Sequence, residues 1–83
     1  MKIWAKLQTG EKLQASKIFE CNKKLNYNNF VEFMREICYS YDIPTPMILK
    51  CQFMHFVNFH NVKFVENDFI ESINFDFMQI EQA

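Results

Sequence analysis

From Asn29 to Tyr41 the chain repeats apolar residues at a helical interval, and everything else must pack on that stripe. Phe30, Phe33, Met34, Ile37, Cys38 and Tyr41 follow the i, i+3, i+4, i+7, i+8, i+11 spacing that gathers side chains on one face of a helix. Glu32, Arg35, Glu36 and Ser40 fall on the other side. Asn29 is placed to accept from the free amides of the first turn, with Glu32 three residues on as the second half of a capping box. Asp42-Ile43-Pro44 ends the helix, because proline drives its predecessor out of helical geometry. Tyr27 precedes it in the place of a hydrophobic staple.

The N-terminal segment has the other period. Ile3, Ala5 and Leu7 alternate with Trp4, Lys6 and Gln8, and Leu13, Ala15, Lys17 and Phe19 alternate with Gln14, Ser16, Ile18 and Glu20. Gly10, the only glycine, lies between them, where a hairpin turn needs a positive φ. The misfit at Lys17 and Ile18 predicts a bulge there. Beyond the helix, Pro44 and Pro46 hold an extended segment, and Met47 to Cys51 reads as a short buried strand. Gln52 to His60 fits a helical stripe (Phe53, Phe56, Val57, His60) and an alternating one (Phe53, His55, Val57, Phe59); we read it as a short helix. Asn61 to Val65 is a strand. Phe69 to Ile73 is irregular or a single turn, and Asn74 to Glu81 is a last strand with apolar groups on both sides, which predicts an interior position in the sheet. The expected architecture is a small α+β domain spanning residues 1–83. In it an antiparallel sheet of four or five strands packs on one main helix, Asn29–Tyr41, and a shorter second helix.

Composition sharpens the question of function. Seventeen per cent of the 83 residues are aromatic, and ten are Phe. A domain of this length has a limited interior, so part of that aromatic surface is expected outside, where such clusters mark interfaces. Trp4, Tyr39, Phe53 and Phe59 are the candidate interface residues, for contact with a second copy (a homodimer) or another protein.

The formal net charge of −1 argues against general electrostatic binding of nucleic acid. The charge is unevenly spread: residues 1–41 carry seven cations against four acids, and residues 42–83 two against six. Opposite charges facing each other across one sheet would account for this. The alternative is a basic patch at the N-terminal hairpin, where Lys2, Lys6, Lys17, Lys23 and Lys24 surround Trp4 as in single-strand binders. Lysines on a hairpin edge also block edge-to-edge pairing, which is the reading we favour.

Cys21, Cys38 and Cys51 are odd in number and form no disulfide framework, which suits reduced thiols in a reducing compartment. The first residues lack the apolar run of a secretion signal, and no stretch is long enough to span a membrane; a cytoplasmic setting is expected.

No motif for chemistry stands out. His55 and His60 lack a Cys-x-x-Cys partner, and Cys51 with His55, at i and i+4, lacks a third ligand, so no metal site is assigned. We expect both imidazoles partly buried among Phe residues. Cys51 with either histidine is the nearest approach to a nucleophilic pair, but the sequence offers no glycine-rich turn for an oxyanion hole. Ser16, Ser40 and Ser72 have no nucleophile elbow, and Glu66, Asp68, Glu71 and Asp76 read as solvated loop acids. One glycine cannot make a phosphate-binding loop. The reading is no cofactor and no enzyme.

Asp42-Ile43-Pro44-Thr45-Pro46-Met47-Ile48-Leu49, with Met1-Lys2-Ile3-Trp4-Ala5-Lys6 and Asp68-Phe69-Ile70-Glu71-Ser72, resembles a family of short, uncharacterised proteins of low-GC Gram-positive bacteria. The resemblance spans nearly the whole chain and implies a bacterial cytoplasmic context; it implies no site residue. The function expected is a non-enzymatic interaction or regulatory accessory module. A nucleic-acid accessory using the lysine-rich hairpin, or a small inhibitor from a phage or mobile element, are the alternatives.

Overall fold

A computed structural model describes residues 1–83. The elements run β1 (Lys2–Thr9), β2 (Lys12–Glu20), α1 (Tyr27–Ser40), α2 (Lys50–Phe59), β3 (Asn61–Val65), a 3-10 turn (Glu66–Asp68) and β4 (Phe77–Gln82). The four strands form one antiparallel sheet in the order β2-β1-β4-β3, so the last strand lies inside it, as its two apolar sides required. Both helices lie on one face. There Ile3, Ala5 and Leu7 of β1, Phe64 of β3, and Met78 and Ile80 of β4 meet Phe30, Met34, Ile37 and Phe56. The result is a two-layer α+β fold with an open outer sheet face.

The main helix starts earlier than its stripe suggested. Asn26, not Asn29, is the cap: its Oδ1 accepts from the Asn29 N–H at 2.8 Å. Asn29 instead donates its side-chain amide to the Lys24 carbonyl, and Glu32 turns to Lys23 at 3.0 Å rather than closing a capping box. At the far end the stop comes before the proline. Asp42 takes the left-handed conformation (φ 55°), and the Ile43 N–H reaches back to the Cys38 carbonyl at 3.0 Å, a Schellman-type close with Asp in glycine's place. Asn26→Ala is therefore expected to cost about 1 kcal/mol in urea unfolding, and Asn29→Ala less; the reverse order would reassign the cap.

Gly10 sits at φ 59° in the hairpin turn, where the sequence put it. The bulge does not fall at Lys17 and Ile18. Leu7 pairs with Ala15 but Gln8 pairs with Leu13, which leaves Gln14 as the extra residue. Lys17 instead lies in register on the core side of the edge strand, facing Ala5, with its ammonium 5.3 Å from the Phe19 ring and 3.3 Å from the Ser40 hydroxyl. An inward-pointing charge and a bulge are both devices that discourage pairing of an edge strand with another chain.

The largest local difference is at 43–51. Met47 to Cys51 forms no strand: Ile43 to Leu49 crosses as an unpaired strap, and Lys50 and Cys51 open α2. Pro44 and Pro46 have no N–H to offer a ladder, so the strap is held by other means. The Tyr27 hydroxyl donates to the Ile48 carbonyl, and the Met47 N–H to the Asp68 carbonyl at 2.7 Å. Tyr27 is thus the first residue of the helix and a tie for the strap, not a staple before the cap. β4 also starts late, at Phe77. Phe75 turns inward against Phe69 while Phe77 lies on the outer face beside Gln8 and Val65, so the two rings do not share a side.

The Phe content is largely hidden. Phe30, Phe33, Phe56, Phe64, Phe69 and Phe75 are buried, Phe19, Phe53 and Phe77 are half-buried, and Phe59 alone is exposed. The chain exposes 5387 Å², against about 5,300 Å² for a free-standing monomer of its mass. The rings fill the core, and aliphatic residues such as Leu13, Ile18, Leu49 and Ile70 are left outside.

Candidate interaction surface

The outer sheet face carries Trp4 and Phe77, each with a lysine of this same chain over its ring, and the exposed Ile18 and Val65 beside them. Trp4 donates its indole N–H to the Ser16 hydroxyl and lies under the Lys6 ammonium, 4.1 Å from the ring centre. Lys6 also pairs with Glu81 at 2.9 Å. Lys63 sits 4.2 Å above Phe77 in the same way. Lysine side chains laid over rings in this way place a cation on the face of each. The Lys6–Glu81 pair across β1 and β4 is the one ion pair that joins the basic first half to the acidic second half; the other two lie within the first half, so facing charges account for little of the uneven spread.

The helical side differs. α1 carries Val31, Arg35 and Tyr39 as an i, i+4, i+8 ridge beside the strap. Between ridge and strap runs a groove of about 310 Å³, walled by Tyr27, Val31, Arg35, Thr45, Pro46, Met47, Ile48 and Ile70. Tyr39 and Ile70 are the most exposed large apolar side chains in the molecule, at 88% and 86%; Met47 (56%) and Leu49 (50%) join them along the strap. The chain leaves Tyr39 and Ile70 almost wholly uncovered and Met47 and Leu49 about half so. Arg35, on the groove wall, has no carboxylate partner, and Glu71, beside Ile70, has no cation.

The four aromatics singled out from the sequence do not converge. Trp4 is on the sheet face, Tyr39 on the α1 ridge, and Phe59 is exposed at the end of α2, stacked on His55 with ring centres 4.7 Å apart. Phe53 is half-buried between Tyr27 and Phe30, at 6.0 and 5.4 Å, so its ring belongs to the core margin. Ile70, Met47 and Arg35 were missed. Their signal in the sequence was slight: an isoleucine among acids in an irregular segment, and a methionine just after two prolines.

Both histidines are exposed rather than partly buried. His55 Nδ1 lies 2.8 Å from the Asn61 carbonyl, which can only accept, so Nδ1 carries the proton and Nε2 is the open nitrogen. His60 turns instead to the Gln82 side chain. Cys51 and His55 border a wide, open groove of about 600 Å³ with Gln52, Asn61, Val62, Lys63 and Gln79. His60 is not part of it, and no third metal-type ligand joins the pair. Asp68 and Asp76 have structural work, accepting from the Val65 and Gly10 amides at 2.9 and 2.6 Å. Burial pushes the Cys38 thiol up to about 11 and also raises Cys21 and Tyr41; the Tyr41 hydroxyl meanwhile donates to the Ala5 carbonyl at 2.8 Å. Cys21 and Cys38 are part of the buried core, and Tyr41 packs against it. No helix is long and apolar enough to cross a membrane. Comparison with protein-family models, with curated proteins and with solved structures finds no match to this chain.

Proposed function

We propose that the chain is a protein-interaction module that acts by contact rather than turnover, through the surface between the α1 ridge and the strap. One observation carries this. Ile70, 86% exposed, and Met47 line an apolar groove on the helical side, and Tyr39, the most exposed apolar side chain, follows the groove residues Val31 and Arg35 on the same helical row. Contiguous exposed apolar groups around a groove are what partners cover. The methionine on the strap adds a flexible, polarisable contact suited to such a surface. Three free thiols, two of them buried, fit a reducing compartment and hence a cytoplasmic site of action.

A photoreactive side chain in place of Met47 tests the reading in cells of the source organism. A discrete adduct from Met47, with none from the same group placed at Ile18 on the sheet face, is the expected result. Adducts from Ile18 alone, or from neither, overturn it.

A further inference from the structure

The geometry points to a second copy of this chain as the occupant of the groove, seated about a two-fold axis so that each Ile70 enters the other's groove; this rests on the contact reading above. Ile70 is a knob, 86% exposed, at the edge of the groove that it helps to wall. A two-fold axis beside that edge brings knob to groove twice with one operation, the self-complementary arrangement of an isologous dimer. The charges fit the same operation. Arg35 on the groove wall has no carboxylate in its own chain, and Glu71, next to the knob, has no cation. Across the axis each Glu71 meets the partner copy's guanidinium, a pairing that sets register at the rim of an apolar centre.

Size sets how far the contact runs. A standard interface takes about 800 Å² from each partner, roughly one-seventh of this chain's 5387 Å². The groove alone is too small for that, so the interface extends along α1 to Tyr39 and along the strap to Leu49. The β2 edge, by contrast, carries Lys17 and a bulge, which discourage pairing there.

Sedimentation equilibrium from micromolar to millimolar concentration tests the proposal. The expected species has twice the 10.1 kDa chain mass. Ile70→Glu should weaken it at least about tenfold, with an unchanged urea midpoint at concentrations low enough to keep both proteins as single chains, where Ile70 is in water. Arg35→Glu and Glu71→Arg should each weaken it, and the double variant should recover. A single-chain mass at millimolar concentration, or a double variant no better than either single one, overturns the dimer. The Met47 adduct separates the two levels of the argument. An adduct of two chains supports the dimer; an adduct with a different protein overturns it and leaves the contact reading standing; no adduct removes both.

Discussion

Phe56→Ala is expected to lower the free energy of unfolding by about 3–5 kcal/mol, the usual cost of deleting a fully buried ring. For a chain of 83 residues the whole stability is on the order of 4–12 kcal/mol, so the variant should be partly unfolded at room temperature. The site explains the size of the effect. Phe56 is the only buried residue of α2, and it stacks on Phe30 with ring centres 5.1 Å apart. Besides it α2 has only the half-buried Phe53 on Tyr27 and Phe30, and a leucine at the cap position with no side-chain acceptor. The Gln52 side chain accepts from the Leu49 N–H at 2.7 Å and is the one local tie at that end. A helix this short is marginal by itself in water. Without Phe56, α2 should lose its dock, and the strap before it and β3 after it should loosen too. Phe59→Ala, three residues on but exposed, should stay within about 0.5 kcal/mol. Urea midpoints and far-UV dichroism compare the two, and a Phe56→Ala cost no larger than that of Phe59→Ala would contradict the assigned core.

Alkaline pH should destabilise the protein through Cys38. Its thiol is completely buried on α1, and burial holds its pKa at about 11, above an ordinary 9.0. The charged form is the disfavoured one, so the folded state keeps the proton longer than the unfolded chain does. Below about pH 9 both states are protonated and the group takes nothing from stability. As pH rises from about 9 to 11 the unfolded chain releases its proton first, and stability falls by about 1.4 kcal/mol per unit, or 2–3 kcal/mol in all. Cys21, raised first by burial and then by Glu36, and Tyr41, raised by burial, act in the same direction. Urea midpoints across this window should drop steeply for the native chain and less for Cys38→Ala, whose core lacks the thiol. Equal slopes would show that Cys38 ionises freely in the folded state.

Local periodicity made much of the fold legible. The stripe from Phe30 to Tyr41 needs only the helical repeat, and the hairpin needs only alternation with Gly10 between its arms. The interior place of the last strand followed from apolar groups on both of its sides. The same logic failed at Met47 to Cys51, where five mostly apolar residues read as a strand. Which secondary structure they adopt depends on whether a ladder is available, and two prolines beside an already filled sheet removed it. It failed again for the Phe content. Counting rings says how much apolar surface must be hidden, not which side chains will do the hiding, and here phenylalanine took the interior and left aliphatic groups outside.

The candidate surface was almost illegible for a related reason. Arg35 belongs to α1, Met47 to the strap and Ile70 to the loop before β4, so no window of sequence holds all three. Trp4 looked available because nothing in its neighbours predicts that Lys6 and Ser16 would close over it. The amino-acid order by itself determined the main helix, the hairpin and the α+β class, because those depend on contacts a few residues apart or on a pattern repeated along one segment. Which apolar groups stay in water, and that Met47 and Ile70 come to share one groove, was decided only when distant segments were brought together by the packing of a small core.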